Sequence, residues 1–309
     1  MPKNNKVAFI YDFDETLSTT YMQDYILIPA LGEKPETFWP KANEWSRLHC
    51  ADQITGTMYY IQYAAKEKGI KLTEKFLWDT AKSITYFAGV EEWFDRINEF
   101  GKSLGLNIEH YIISSGMEEI INGTTIRKHF KKVFGCSYIY DDKTGTPIWP
   151  ARIVNYSTKT QFIAKINKGL GKTEDKAVNE YMPDEQRPIP YKQMVYFGDG
   201  MTDIPAMKIV KNKGGTAIAV YRPKSKHHDT AIQLLADDRV DFALPADYRE
   251  NSELDHVVKT ILTRMSSERD LDILKIREEN KKKQLGVRVK LKARFALFAK
   301  KLTKKKNKK

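Results

Sequence analysis

The run Val7-Ala8-Phe9-Ile10-Tyr11-Asp12-Phe13-Asp14-Glu15-Thr16-Leu17 ends an apolar stretch in two carboxylates spaced i, i+2. One such carboxylate can attack an electrophile while the other handles protons. Three further segments carry groups of the same kind: Ser114-Ser115-Gly116, Lys159, and Gly198-Asp199-Gly200-Met201-Thr202-Asp203. Each has a plain reading on its own. Acids at a strand end form turns, Ser114 suits a helix N-cap, Lys159 could be an ordinary surface lysine, Asp199 could sit in a turn and Asp203 could cap a helix. Their joint occurrence, in this order, is what points to a site.

The elements that must position them follow from pattern. Residues 7–11 are β-branched, aromatic and apolar, which predicts a buried strand with Asp12 and Asp14 at its carboxyl end, where open α/β sheets place ligands. Residues 20–88 show helical spacing, about four helices and many aromatics, among them Trp39, Trp45, Tyr59, Tyr60, Tyr63, Phe76 and Trp78. That gap is too long for one crossover, so it predicts an inserted helical domain. A helix over 89–104 and a strand from Ile108 to Ile113 come next. Ser114-Ser115-Gly116 follows directly, then a helix from Met117 to about His129. Cys136–Tyr140 and Ile148–Val154 flank Asp141-Asp142-Lys143-Thr144-Gly145 as a β-hairpin. Thr158 is expected to cap a helix carrying Lys159. The polar excursion 169–190 could lie over the site or be an exposed loop. Met194–Phe197, Thr216–Val220 and Val240–Leu244 read as strands, with a helix over Pro205–Val210. Alternating strand and helix imply a parallel sheet with right-handed crossovers. The expected fold class is α/β, with core segments 1–19 and 89–265, a helical cap over 20–88 and a basic helical or disordered tail over 266–309.

The four segments together resemble the haloacid dehalogenase-like hydrolase superfamily, in its phosphoserine-phosphatase-like branch with a helical cap between the first two motifs. The resemblance covers roughly residues 5–245 and implies a Rossmann-like parallel core. It implies a Mg2+-dependent phosphatase acting on a small phosphorylated metabolite. Asp12 would be the nucleophile, forming an aspartyl-phosphate, and Asp14 the proton donor and acceptor. Ser114, Ser115, Gly116 and Lys159 would hold the phosphate. Asp12, Asp199, Asp203 and Asp14, the last through its backbone carbonyl, would surround Mg2+. The acid at Asp14 favours phosphoryl chemistry. Relatives that cleave carbon–halogen bonds lack it, and ion-pumping relatives carry Thr there. Transfer to an acceptor alcohol, as in a phosphotransferase or mutase, is the enzyme alternative, and a tail-tethered non-catalytic binding module is the other. No Glu lies between residues 16 and 32, Thr202 replaces the usual Asn, and the Lys159–Asp199 segment is long. These departures point away from phosphoserine.

Composition bounds the partners. The chain has 309 residues and a net charge of +12. Residues 281–309 hold 14 Lys or Arg and no acid; removing them from the 52 leaves 38 basic against 40 acidic residues, net −2 for 1–280. The body therefore lacks the charge of a nucleic-acid-binding fold. The tail could meet an anionic membrane surface or nucleic acid, or lie solvated. There Leu291, Phe295, Phe298 and Leu302 recur at i, i+4, i+7 and i+11. Cys50 and Cys136 have no metal-type spacing and no expected disulfide partner, which fits a cytoplasmic compartment, with the basic tail allowing a peripheral place at the membrane. No run approaches the roughly 20 apolar residues of a membrane span.

Overall fold

The computed structural model describes residues 5–172, 176–222 and 226–306. Strand β1 (Lys6–Tyr11) is followed by five helices, α1 (Met22–Tyr25), α2 (Leu27–Ala30), α3 (Pro35–Leu48), α4 (Gln53–Glu67) and α5 (Glu74–Thr80). Then come α6 (Val90–Ser103), β2 (Asn107–Met117), α7 (Glu118–Asn122), β3 (Phe130–Tyr140) and β4 (Pro147–Arg152). The remainder is α8 (Lys159–Lys168), β5 (Met194–Gly198), α9 (Ile204–Asn212), β6 (Thr216–Tyr221), α10 (Lys226–Ala236), β7 (Phe242–Pro245) and α11 (Glu253–Lys306). The strands form one seven-stranded sheet in the order β4-β3-β2-β1-β5-β6-β7. All neighbours are parallel except β3–β4, the expected hairpin. The expected α/β class is therefore present.

β1 is central because it can afford burial on both faces: Val7, Ala8, Phe9, Ile10 and Tyr11 have no exposed surface. Tyr11 stacks on Phe197 at 4.7 Å. Its hydroxyl is satisfied inside the core, accepting from Trp93 Nε1 (2.9 Å) and lying 3.1 Å from His110 Nδ1. Burial pushes His110 down to about 3, so the ring is neutral and Nδ1 accepts from Tyr11, while Nε2 donates to Asn98 Oδ1 at 2.9 Å. A buried polar group costs stability unless it is bonded in this way.

The segment carrying α1 to α5 leaves and rejoins the sheet through two paired strands of backbone. Thr19 N donates to Thr85 O (2.9 Å) and Phe87 N to Leu17 O (3.0 Å), around an antiparallel Ser18–Tyr86 bridge. The helices also lean on the rest of the chain: Tyr138 Oη donates to Met58 O at 2.6 Å, and Asn155 Nδ2 to Asp52 Oδ2 at 3.1 Å.

Three local expectations are corrected. The helix expected from Met117 to His129 is split into α7 and a 3-10 turn over Thr125–His129. Gly123 marks the break, where a Cβ would stand 2.1 Å from the Trp78 carbonyl oxygen; the close pass of α5 ends the helix. The strand expected to stop at Ile113 runs on to Met117, with an irregular register against β3 between Ile113 and Met117. The α8 cap is Asn155 rather than Thr158. Asn155 Oδ1 accepts from Thr158 N (3.0 Å) while Thr158 Oγ1 accepts from Asn155 N (2.7 Å), a reciprocal capping box.

From Asp184 to Ile189 the excursion lies at the amino end of the strands, away from Asp12, while Lys172 near its start reaches Glu118, just past the carboxyl end of β2. Arg187 Nη1 donates to Asn167 Oδ1 (2.7 Å), Asn167 Nδ2 donates to Ile189 O (2.7 Å), and Ile189 is buried beneath the C-terminal end of α8. The α11 backbone is helical to Lys306, but the side chains of Leu291, Phe295, Phe298 and Leu302 lie outside the described residues. No described helix is long and apolar enough to cross a membrane.

Candidate active site

Parallel strands deliver their carboxyl ends to one rim of the sheet. Asp12 follows β1, Ser114-Ser115-Gly116 closes β2, and Asp199 and Asp203 follow β5. Lys159 opens α8, whose first turn reaches the same rim. These residues, far apart in sequence, are thus brought together.

Lys159 is the centre of the cluster. It has no exposed surface, and its Nζ donates to Asp12 Oδ2 at 2.8 Å and to Asp203 Oδ1 at 2.7 Å. Burial alone would push the ammonium down; the carboxylates of Asp12 and Asp203 outweigh it and hold Lys159 above the ordinary lysine range. Two acids therefore surround one fixed positive charge. The N-terminus of α8 is held in turn by Asn155, whose amide reaches Asp52 at the start of α4. Asp52 also caps α4 by accepting from Ile54 N and Thr55 N. The helical segment thus helps set where Lys159 starts.

Asp12 Oδ1 accepts from Phe13 N at 2.7 Å, which fixes the carboxylate plane. Burial, and then the charge of Asp203, raise its carboxyl to about 7, with Lys159 pulling the other way. Asp199 is raised well above the carboxylate range by burial, then by Asp203 and Asp12. Asp203 stands at the start of α9 but makes no side-chain cap; its Oδ1 turns inward and also accepts from Tyr196 Oη at 2.6 Å. The turn after Asp14 places Glu15 at φ +54°, a left-handed conformation that costs on the order of 1 kcal/mol for a non-glycine. Phe13 O collects the amides of Leu17 (2.9 Å) and Ser18 (3.1 Å), which holds that turn.

Asp14 faces the helical segment. Its Oδ1 accepts from the backbone N of Met22, the first residue of α1, at 2.8 Å. Burial and the nearby Asp12 raise the Asp14 carboxyl well above its usual range. Met22 also covers the β2 loop: its Sδ accepts from Met117 N at 3.1 Å, and a Cβ on Gly116 would stand 2.1 Å from Met22 Cε. A side chain at 116 would have to displace the end of Met22. Sequence reasoning missed Met22, and a methionine in a helical run gives no signal of such a place. It also missed Tyr196, which reads as one more apolar strand residue.

The phosphate-binding candidates form the turn that closes β2. Ser114 is fully buried and its Oγ accepts from Gly116 N at 2.9 Å, tightening the loop. Ser115 Oγ is buried with no hydrogen-bond partner among the described residues, so it has a proton to offer.

The residues fit a hard divalent cation. Asp12, Asp199 and Asp203 each offer a carboxylate oxygen, and these oxygens lie within 4.8 Å of one another. Asp203 Oδ2 is buried and has no hydrogen-bond partner in the described structure. An all-oxygen set of carboxylates suits Mg2+. The Asp14 carboxylate is not one of the three; it points to Met22, so any contact from Asp14 would come from its carbonyl oxygen.

Comparison with known proteins gives the family and the fold. The family model of the haloacid dehalogenase-like hydrolases matches residues 9–208. A curated relative, an uncharacterised protein of Borreliella burgdorferi, is 26% identical over 280 residues, covering 82% of this chain and 95% of that one. A haloacid dehalogenase family hydrolase from Salmonella enterica serovar Typhi superposes with a TM-score of 0.54 at 15% identity, over 84% of this chain and 72% of that one. A substrate-bound phosphoserine phosphatase superposes with a TM-score of 0.50 at 17% identity, over 82% and 98%. At such identities the structural likeness is one of fold. The family match spans the strand ends that carry Asp12, Ser114 and Asp199 and the helix that carries Lys159, and the chain belongs to the haloacid dehalogenase-like hydrolases.

Proposed function

We propose that this protein is a Mg2+-dependent phosphatase of the cytoplasm that hydrolyses a small phosphomonoester through an aspartyl-phosphate on Asp12. The observation that carries this reading is the buried cluster in which Lys159 bridges Asp12 and Asp203 at 2.8 and 2.7 Å, beside Asp199. A carboxylate held by a lysine at a sheet rim is placed to attack, and the lysine neutralises charge that spreads onto the phosphoryl oxygens.

The chain's own residues account for each proton. Asp12 forms a bond to phosphorus as the ester oxygen leaves. Asp14, whose carboxyl is raised and therefore retains its proton more readily, gives that proton to the departing oxygen. It then takes a proton from the water that attacks the acyl phosphate, releasing inorganic phosphate and restoring Asp12. The amide of Met22 keeps Asp14 aimed during both steps. Ser114, Ser115 and the loop they form with Gly116 receive the non-bridging oxygens, which travel with phosphorus. Asp12, Asp199, Asp203 and the Asp14 carbonyl would hold Mg2+, which supplies positive charge beside the phosphoryl group. The reading places catalysis in the body and asks nothing of residues 281–309.

Release of phosphate from an aryl phosphate tests it. Turnover should appear with Mg2+, vanish with chelator, and fall on the order of 10³-fold or more in Asp12→Asn. Undiminished turnover in a deamidation-free Asp12→Asn preparation would contradict the reading. An added acceptor alcohol that outcompetes water would favour phosphotransfer over hydrolysis.

A further inference from the structure

Side chains alternate along β5, so Tyr196 and Gly198 face one side of the sheet and Val195 and Phe197 the other. Phe197 stacks on Tyr11 at 4.7 Å. The side that Tyr196 and Gly198 share is covered by α9. A Cβ on Gly198 would stand 2.6 Å from Asp203 Cγ and Oδ2 and 2.9 Å from Met207 Cε. The Asp203 carboxylate therefore occupies the space that a side chain at 198 would take. Tyr196 lies two residues back on the same face and has no exposed surface, and its hydroxyl ends at the same carboxylate.

A phenol buried this deeply costs stability unless it is bonded. Tyr196 Oη makes one short bond, donating to Asp203 Oδ1 at 2.6 Å, the length of a hydroxyl bonded to a carboxylate. The same oxygen accepts from Lys159 Nζ at 2.7 Å. Oδ1 thus has two donors, while the buried Oδ2 has none among the described residues. Lys159 alone would not fix the carboxylate plane, because an ammonium on a flexible stem can follow a carboxylate that turns about its Cβ–Cγ bond. The Tyr196 ring is packed inside the sheet and cannot follow. Its hydroxyl, meeting Oδ1 from a second direction, fixes that plane.

We propose that Tyr196 is a positioning residue of the cation site: acting through Asp203, its hydroxyl holds the carboxylate so that Oδ2 stays available to Mg2+ or to a water that Mg2+ carries. The role needs no contact between Tyr196 and cation or substrate. The inference rests on the proposed cation site of Asp12, Asp199 and Asp203, and not on the identity of the substrate or on the covalent step. Groups that orient a metal ligand in this way set affinity for the metal without binding it.

Mg2+ binding to the substrate-free full chain is measured by calorimetry and, independently, by the rise in Tm on adding Mg2+. Tyr196→Phe keeps the ring, and Asp203 keeps Lys159, so the variant should fold and bind Mg2+ about tenfold or more weakly. In turnover of an aryl phosphate, the Mg2+ concentration for half-maximal rate should rise by the same factor, while kcat at saturating Mg2+ stays within about threefold. Tyr11→Phe removes an equally buried hydroxyl from the other side of the sheet; it should lower Tm yet leave Mg2+ affinity within about twofold. In an Asp203→Asn background, Tyr196→Phe should change Mg2+ affinity by less than about twofold, since no carboxylate remains at 203 to orient. Wild-type Mg2+ affinity in Tyr196→Phe, with Asp199→Asn weakened, would overturn the assignment and leave the cation site standing, whether or not Tm falls. An undiminished effect of Tyr196→Phe in the Asp203→Asn background would overturn it as well, because the hydroxyl would then act elsewhere. Absence of Mg2+ binding by the wild type would overturn the cation site and the assignment together.

Discussion

The buried cluster around Lys159 and the outer half of α11 use the same residue types in opposite ways. Lys159 has no exposed surface and two carboxylate partners within 2.8 Å. Lys282 and Lys283, by contrast, are exposed on a helix that touches little else. A buried charge acts through position, because the low-dielectric surroundings make each partner strong and each lost partner costly. Exposed charges act through their sum, because solvent screens every single pair. Single substitutions should therefore be severe in the first region and nearly silent in the second.

The largest structural effect should come from Lys159→Met. It leaves Asp12 and Asp203 buried without their counter-charge, and breaking such a pair costs about 3–5 kcal/mol. Chemical denaturation would measure it, and an unchanged midpoint would erase the contrast. Adding Asp203→Asn should recover part of the loss, since it removes one of the stranded charges.

Asp14→Asn should spare the fold and slow turnover on the order of 10²-fold. The deficit should be larger for an alkyl than for an aryl phosphate, because the poorer leaving group needs the proton more. Equal deficits would move Asp14 from proton transfer to mere positioning.

Titration sharpens the comparison further. Burial raises the folded-state Asp12 carboxyl to about 7, above its ordinary value of 3.8. The folded protein thus holds this proton more tightly than the unfolded chain. The resulting stability is present below the unfolded value and is lost as pH rises through about 7. Without divalent cation, Tm should fall between about pH 4 and about pH 7 and level off above, and Asp12→Asn should flatten that fall. Added Mg2+ should raise Tm more at the upper pH, where the carboxylates are ionised. A Mg2+ effect equal at both ends would place the cation elsewhere. At the small end of the scale, Lys282→Gln should change stability by less than about 0.5 kcal/mol.

Much of the site was legible because its chemistry comes in residue types that strand ends cannot hide. Asp12 and Asp14 interrupt an apolar run, and Asp199 and Asp203 follow another. What was not legible depends on distant contacts. Met22 guards Gly116 and holds Asp14 only because α1 folds back over β2. The helix after Met117 stops at Gly123 because a carbonyl from α5 arrives there, which no local propensity encodes. Asn155 rather than Thr158 caps α8; the two residues bond each other, and either could have been the cap on composition alone. The excursion over 169–190 gave no pattern to decide its side of the sheet, which is set by α8 returning to the amino end.

The central claim is that Asp12 carries the phosphoryl group. Turnover of an aryl phosphate with Mg2+ can be quenched in acid, reduced with borohydride and mapped by mass spectrometry. An acyl phosphate on Asp12 would be reduced there to homoserine, with residues 14, 199 and 203 unchanged. Reduction at another acid, or none at residue 12 under conditions that trap a control acyl phosphate during turnover, would contradict the account.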